Sequence, residues 1–365
     1  MKPWIQRIPP LLIGLLTAAT AWTPAQAQES VFPGSVVLGR PTDRSVTLNA
    51  VPEQALEITV DYGPEDGGFP WTTPARLVQP KEPYEVLLDQ LEPDRPYHYR
   101  IRHRPPGAAT FAGDQTASFH TQRPRGAPFT FVIQADSHMD EQTDPLLYRQ
   151  ALLNMAADRP DFLVDLGDTF FSDKTASTQP EVVGRHLLQH PLLGLVARSA
   201  PLFLVLGNHE GEAGSNLDGS DSNMAIWATR ARQTYYPNPV PDGFYSGDEQ
   251  PQAFVGLREA YYAWEWGDAL FVVLDPFWHT RVKPQRSGDG WDWTLGEAQY
   301  RWLVATLEGS RARYKFVFSH NMVGGVSLEG RGGIEGAPFF EWPGRNADLS
   351  WGFDRRRPGW GRPIH

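Results

Sequence analysis

The sequence contains no cysteine. This absence excludes a disulfide framework, thiolate metal sites, a cysteine nucleophile and lipidation on cysteine. Acidic residues outnumber basic ones: the chain has 43 Asp and Glu and 33 Lys and Arg, for a formal net charge of −10. Sequence-independent binding to nucleic acid requires a basic surface that displaces counterions, so we expect no binding to a nucleic-acid duplex.

Long apolar runs are also scarce, and the clearest one lies near the start of the chain. Lys2 and Arg7 precede an apolar run over residues 11–21, and the small-x-small sequence Ala-Gln-Ala ends at Ala27. These features are typical of a signal peptide, here residues 1–27 with cleavage at its end. A membrane anchor is the alternative, but the run is about half of the ~20 residues that a spanning helix needs. We expect an exported protein, periplasmic or extracellular, with no membrane span in its mature form.

The remaining composition is that of a globular protein. Of 365 residues, 41% are hydrophobic and 21% are charged, and such a length predicts two domains. Residues 30–122 show short β-type runs between Pro, Gly and Asp turns, without a helical period, which predicts a small all-β sandwich. Residues 91–99 resemble the tyrosine corner of fibronectin type III domains, so we predict a fibronectin III-like fold. Residues 122–128 are predicted to form the linker.

From residue 128 to residue 365 the pattern changes to apolar strands that alternate with amphipathic helices, which indicates an α/β domain. Asp144 followed by Pro145 predicts the start of a helix. Thr294-x-x-Glu297 predicts another helix start through a capping box. The predicted strands are 129–135, 162–166, 202–206 and 314–318, with a hairpin over 261–266 and 269–274.

Polar side chains stand directly after four of these strands. In α/β sheets, ligands bind beyond the carboxyl ends of the strands, so we expect the four clusters to converge on one edge. Carboxylates mixed with imidazoles suit Mn, Fe, Zn or similar ions, and paired ions are a recurrent phosphatase device. Any one cluster alone is more often structural, but the ordered set favours a metal centre. The clusters are Asp136-Ser137-His138, Gly167-Asp168, Gly207-Asn208-His209-Glu210 and Ser319-His320-Asn321.

In this order the clusters resemble the motifs of the calcineurin-like metallophosphoesterases, and Gly-Asn-His-Glu is the most specific of them. The β-sandwich ahead of them is similar to the N-terminal domain of the purple acid phosphatase branch. The resemblance implies a mixed β-sandwich flanked by helices, with two divalent or trivalent metal ions, for which Fe, Mn and Zn are the expected identities. It implies the first metal on Asp136 and His138, a bridging Asp168, and the second metal on Asn208 and His320.

The resemblance also implies a reaction. A hydroxide held by the paired ions attacks a phosphate ester in line, and His209 protonates the leaving group. Glu210 either orients a neighbouring imidazole or is a carboxylate at a helix start. The expected partner is a small phosphate-ester substrate. The sequence leaves the identity of that ester, the preference for monoester or diester and the oligomeric state open.

Two departures from the family pattern bear on this expectation. Purple acid phosphatases have a Tyr three residues after the bridging Asp, whereas this chain has Phe171 there. This predicts a colourless centre with an imidazole donor in place of the phenolate. The family's closing Gly-His-x-His motif is missing, since His365 is the only histidine after His320. We therefore expect a domain that is incomplete at its C-terminus, with weak metal binding and slow or no turnover.

Other features keep alternatives open. In the glycine-rich segment 324–345, Arg331 or Arg345 could hold phosphate, or the segment is a solvated loop. The aromatic run 261–266 could line a substrate groove or belong to the core. If the metal site is vestigial, the chain is instead a non-catalytic exported binding protein that contacts a partner through its β-sandwich.

Overall fold

The computed structural model of this chain describes residues 31–139, 143–281 and 295–320. The predicted signal peptide over 1–27, the candidate phosphate ligands Arg331 and Arg345, and His365 lie outside these residues. Within the described residues, an all-β region precedes an α/β region, which confirms the predicted order of fold types.

The all-β region is held together by strands that alternate inward and outward side chains. In the longest of them, Tyr97, Tyr99 and Ile101 point inward and are at most 2% exposed, as the period of two in a half-buried strand requires. The Glu92 amide donates a hydrogen bond to the Tyr97 hydroxyl at 2.7 Å, the contact that the tyrosine-corner pattern predicts. The strands are β1 (Gly34–Gly39), β2 (Val46–Pro52), β3 (Leu56–Pro64), β4 (Trp71–Thr72), β5 (Arg76–Val78), β6 (Tyr84–Leu88), β7 (Pro96–Arg104), β8 (Ala112–Gly113) and β9 (Ala117–His120).

The α/β region alternates strands and helices along the chain. A 3-10 turn at Gly214–Asn216 interrupts the alternation. The elements are β10 (Phe131–Gln134), α1 (Pro145–Ala157), β11 (Phe162–Asp165), α2 (Ser172–Thr175), α3 (Gln179–Ala197), β12 (Leu202–Leu204), α4 (Met224–Tyr235), β13 (Ser246–Gly247), β14 (Tyr262–Trp266), β15 (Ala269–Val273), α5 (Glu297–Gly309) and β16 (Tyr314–Phe318).

Two sheets of the α/β region pack face to face. The first has the strand order β10-β11-β12-β1-β2-β6 and the second has the order β13-β14-β15-β16. Phe162, Trp264 and Phe271 fill the space between them, with the rings of Phe162 and Phe271 5.2 Å apart. Helices α1 and α3 cover the outer face of the first sheet, and α5 covers the second. This arrangement confirms the predicted mixed sandwich flanked by helices. The aromatic run is therefore core, since Trp264 is 2% exposed.

The all-β region is joined to the α/β region through the first sheet. Strand β1 pairs in parallel with β12 at Gly39 and Leu202. Val37 belongs to the same hydrophobic cluster as Leu202. The Tyr99 hydroxyl donates to the carbonyl of Arg198, just past α3, at 2.7 Å. One sheet thus continues across the boundary that the sequence predicts near residues 122–128.

Local capping rules place one predicted helix start correctly and another wrongly. The Asp144 carboxylate accepts hydrogen bonds from the amides of Leu146 and Leu147, and Pro145 takes the first position of α1, as predicted. The capping box at Thr294 is wrong, because α5 begins at Glu297 with Gly296 as its N-cap. Gly296 has φ 81°, a left-handed value that glycine adopts readily. Among the described residues, no helix has both the length and the apolar character needed to cross a bilayer.

Candidate metal centre

The strand ends of both sheets bring the polar clusters to one edge. Strands β10, β11 and β12 are parallel neighbours, so their carboxyl ends lie side by side. Asp136 follows β10, Asp168 follows β11 and His209 follows β12. Strand β16 of the second sheet ends just before His320, whose ring also reaches Asp168. The sandwich therefore presents these side chains from opposite layers to a common point.

The common point is the carboxylate of Asp168, which is 3% exposed. Its Oδ2 lies 3.2 Å from His320 Nε2, 3.3 Å from His138 Nε2 and 3.9 Å from His209 Nε2. Asp136 lies beside this group, with its Oδ1 4.0 Å from His138 Nε2. A single carboxylate thus faces three imidazoles.

Two overlapping groups of three side chains have the spacing of metal ligands. In one, His138, Asp168 and His209 keep their ligand atoms within 4.8 Å of one another; in the other, Asp136, Asp168 and His320 do so. Asp168 belongs to both, which is the position that a bridging ligand requires. The pairing differs from the family pattern, in which Asp136 shares an ion with His138. Asn208 precedes His209 on the same loop and is exposed.

The loops that carry these residues have an unusual backbone. Asp136, His138, Asp168 and Phe171 adopt φ values of 59°, 46°, 54° and 47°. Positive φ is uncommon for residues with a Cβ and is a clear outlier for a bulky aromatic residue. Such conformations persist only where surrounding contacts hold them, and they cluster at functional sites. Left-handed backbone is therefore concentrated at this edge of the sandwich, although single residues elsewhere, such as Arg40 and Glu259, adopt it too.

Two glycines allow the loops to approach each other. A Cβ on Gly167, which has φ 98°, would lie 2.3 Å from the Gly207 amide nitrogen. A Cβ on Gly207 would lie 2.3 Å from the Asp168 amide nitrogen and 2.6 Å from Glu210 Oε2. Any larger side chain at either position would push the two loops apart. The glycines of the Gly-Asp and Gly-Asn-His-Glu motifs are thus required by this close contact.

Hydrogen bonds fix the orientation of two of the imidazoles. His320 Nδ1 donates to the carbonyl of Leu166 at 3.0 Å, and His209 Nδ1 donates to Asp173 Oδ1 at 2.7 Å. In the neutral tautomer each ring then carries its lone pair on Nε2, which faces Asp168. A second nitrogen bonded to a carbonyl or carboxylate is the usual arrangement for metal-ligating histidine.

Glu210 connects the loops through the backbone. Its buried carboxylate accepts hydrogen bonds from the amides of Asp168, Thr169 and Gly207 at 3.1, 2.7 and 2.6 Å. Burial raises the pKa of Glu210 to about 8, and the negative charge of Asp168 contributes to the same shift. These hydrogen bonds run to backbone amides, and they tie the loop after β11 to the loop after β12.

Asp168 and His320 shift each other's pKa in opposite directions. Burial alone would raise the pKa of Asp168, but the hydrogen bond from His320 and the positive charges of His320 and His209 hold it below its usual value. Burial alone would lower the pKa of His320, yet the bond to Asp168 and the charges of Asp168 and Glu210 raise it to about 9. The carboxylates around His320 therefore favour its positively charged form.

Three further observations complete the description of the site. The Phe171 ring packs 4.6 Å from the ring of His138 and 4.8 Å from that of His209, so the position of the family tyrosine is filled by an apolar wall. Asp173, which no motif in the sequence indicates, holds His209 from the short helix α2. Asp165, also missed, ends β11 as a fully buried carboxylate.

Comparisons with known proteins found one family and several solved structures that this chain resembles. A sequence model of calcineurin-like phosphoesterases matches residues 129–324. Among solved structures, one titled "Structure of PhoD" covers 79% of this chain with a TM-score of 0.57 and 19% identity, and the chain spans 62% of that protein's length. An FN3 domain of human collagen XX covers 27% of this chain and 100% of its own, with 17% identity and a TM-score of 0.22. No curated protein matches the sequence.

Proposed function

This chain belongs to the calcineurin-like phosphoesterase family, and on that premise we propose that it hydrolyses small phosphate esters with the help of bound metal ions. One observation carries the proposal: three imidazoles meet the buried carboxylate of Asp168 at 3.2 to 3.9 Å. A structural ion pair needs one cation beside a carboxylate. Three imidazoles and the nearby carboxylate of Asp136 suit metal ions better.

The donor set fits two divalent or trivalent cations such as Fe, Mn or Zn. It contains oxygen and imidazole donors, and one carboxylate is common to both groups of three. Following the family pattern rather than these two groups, we propose that Asp168 bridges the ions, with Asp136 and His138 on the first and Asn208 and His320 on the second. Bound there, the ions would polarise the phosphoryl group and lower the pKa of a water molecule.

We propose His209 as the general acid. Its Nδ1 is bonded to Asp173 at 2.7 Å, and its amide donates to Asp168 Oδ1 at 2.7 Å, so both the ring and the backbone are held. The carboxylate of Asp173 stabilises the protonated ring, which leaves Nε2 free to carry the proton that a departing alkoxide needs. A general acid held in this way loses little orientational freedom when the substrate arrives.

Hydrolysis of chromogenic monoesters and diesters tests the proposal. We expect p-nitrophenyl phosphate or bis(p-nitrophenyl) phosphate to be hydrolysed slowly in the presence of Mn²⁺, Zn²⁺ or Fe²⁺, and a chelator to abolish the activity. Asp168→Asn removes the shared ligand charge. Its loss of activity should exceed the ~10–100-fold that outer-shell changes typically cause.

The matched control is Asp158→Asn, which neutralises an exposed carboxylate at the end of α1. It should hydrolyse both esters at the parent rate. If the parent chain binds none of the three ions and hydrolyses neither ester, the proposed function is wrong. The outcome would then favour the non-catalytic binding protein.

A further inference from the structure

The carboxylate of Asp165 lies behind the candidate metal centre and is 0% exposed. Its Oδ1 accepts from the Gly167 amide at 3.0 Å and from the Thr169 hydroxyl at 2.6 Å. Its Oδ2 accepts from Gln134 Nε2 at 2.6 Å. A charged residue within an apolar strand is costly to bury, so three donors around it indicate a specific role.

The bonds of Asp165 fall on both sides of Asp168. Gly167 precedes Asp168 and Thr169 follows it, and these neighbours donate the two hydrogen bonds that Asp165 Oδ1 accepts. Thr169 is held from further directions, because its carbonyl accepts from Gln189 Nε2 at 2.7 Å and its amide donates to Glu210. The turn is therefore fixed at each residue that flanks the proposed bridging ligand.

This turn needs such support because its backbone is strained. Gly167 and Asp168 are consecutive residues in the left-handed region, with φ 98° and 54°. Asp168 has a Cβ, so the turn would relax toward negative φ if its neighbours were released. A relaxed turn would rotate the Asp168 carboxylate away from the three imidazoles.

We propose that Asp165 is a positioning residue for the metal centre, holding the Gly167-Asp168-Thr169 turn so that the Asp168 carboxylate faces both ion positions. The inference rests on the proposed function, since it assigns Asp165 a role only if Asp168 binds metal. A purely structural Asp165 would affect the stability of the chain. A positioning Asp165 also sets the metal affinity of the folded protein.

The chain offers two pairs of variants for a test. Asp165→Val removes every hydrogen bond of the carboxylate, whereas Asp165→Asn keeps an oxygen for Gly167 and Thr169. The Gln134 side-chain oxygen has no hydrogen-bond partner among the residues that the structure describes, so a rotated Gln134 amide can accept from the new Asn. Thr169→Val and Thr169→Ser form the second pair, which removes or keeps the hydroxyl alone.

The readout is the dissociation constant for Mn²⁺, measured on folded protein by the loss of the free-ion electron paramagnetic resonance signal. Circular dichroism checks that each variant is folded. We expect Asp165→Val and Thr169→Val to bind Mn²⁺ at least about tenfold more weakly than the parent, by analogy with outer-shell changes. Asp165→Asn and Thr169→Ser should stay within about threefold of it.

Asp161→Val is the matched control at the opposite end of β11. Asp161 is also buried and bonds Arg123 and the Thr130 amide, so its loss should lower stability but leave Mn²⁺ affinity unchanged. The inference is overturned if Asp165→Val, or Thr169→Val where the former does not fold, binds Mn²⁺ as the parent does. It is also overturned if Asp161→Val weakens binding equally. A parent that binds no Mn²⁺, Zn²⁺ or Fe²⁺ overturns the proposed function itself.

Discussion

At the residue scale, the proposed role of His209 depends on its neighbour Asp173. The imidazole of His209 is partly exposed, with 20% of its side chain accessible, and Asp173 Oδ1 holds its Nδ1. Asp173 is itself placed by the left-handed Phe171, which turns the chain into α2. The left-handed conformation of Phe171 therefore places the Asp173 carboxylate on the side of the imidazole that faces away from Asp168.

Asp173→Asn tests this dependence. The amide can still accept a hydrogen bond from His209 but no longer stabilises a positive charge on the ring. We expect hydrolysis of alkyl phosphates, which need a protonated leaving group, to fall by about 100-fold. Hydrolysis of p-nitrophenyl phosphate should fall much less, because its leaving group departs readily as an anion. Steady-state rates with both substrates measure the difference.

Asp221→Asn is the control for this experiment, since it makes the same change at an exposed carboxylate just before α4. It should leave both rates unchanged. An equal loss on alkyl and aryl substrates in Asp173→Asn would contradict an acid role for His209. It would indicate that the pair acts on metal binding instead.

The sequence predicts some of these residues and misses others for physical reasons. Four candidate ligands stand at strand ends, namely Asp136, His138, Asp168 and His320. Because ligands bind beyond the carboxyl ends of strands in α/β sheets, this position predicts that the four lie close together. Asp173 stands five residues beyond Asp168, and the turn at Phe171 that brings it back has no sequence signature. Asp165 did leave a signal, because a carboxylate inside the apolar run Phe-Leu-Val-Asp-Leu must be paired or positioned.

At the scale of elements, α3 buries two histidines one turn apart. His186 is 1% exposed and His190 is 0% exposed. The His186 ring stacks on Phe170 at 3.9 Å, and within the described part of the chain neither of its nitrogens has a hydrogen-bond partner. Burial lowers the pKa of both histidines to about 3, with Arg232 adding to the effect on His186 and Glu212 opposing it. The helix therefore packs with both rings neutral.

The two histidines predict a loss of stability in acid. The folded chain binds fewer protons than the unfolded chain between about pH 3 and the usual histidine value of 6.5. Their contribution is therefore fully present above pH 6.5 and is lost as the pH falls toward 3. Each histidine should change the free energy of unfolding by about 1.4 kcal/mol per pH unit within that window.

Urea unfolding of the parent and of His186→Phe, across this pH range, checks the slope. The variant keeps the ring stack but cannot be protonated, so its pH dependence should be shallower. Leu303→Ala is the control, because it removes buried apolar surface from α5, in a different cluster from both rings, and should lower stability at every pH without changing the slope. A His186→Phe slope equal to that of the parent would contradict the expected charging of this ring.

Local sequence predicts some boundaries of strands and helices and misplaces others. The β14–β15 hairpin is confirmed, because Gly267, with φ 56°, fits a tight turn between two apolar strands. The start of α5 is misplaced because Thr294-x-x-Glu297 matches a capping box, while Gly296 in a left-handed conformation ends the preceding loop. A local pattern cannot tell which of two nearby starts the tertiary packing selects.

At the scale of the whole molecule, the shared sheet was the feature hardest to predict. Gly39 and Leu202 pair across 163 residues of sequence, and periodicity carries no information on such distant pairing. The predicted linker is also docked, since Gln122 Nε2 donates to the Glu265 carbonyl at 2.7 Å and Arg123 bonds Asp161. The two fold types were predictable from local pattern, but their fusion was not.

This fusion predicts that the two regions unfold together. Differential scanning calorimetry of the chain should give one transition, with equal calorimetric and van't Hoff enthalpies. A protease site inserted between residues 124 and 126 allows a second measurement. After cleavage the two fragments should co-elute from a sizing column and separate only in urea. Two resolved transitions, or fragments that separate in buffer, would contradict the prediction.

The pairing of Gly39 with Leu202 also limits how such a chain can be recombined. A crossover between related genes within codons 122–128 would combine β1, β2 and β6 of one parent with β10, β11 and β12 of the other in a single sheet. Chimeras built at that point would have mismatched strand pairing under α3, close to the elements that carry the candidate metal ligands. A stable chimera would therefore have to take β1, β2 and β6 from the same parent as β10, β11 and β12, because all six strands belong to one sheet.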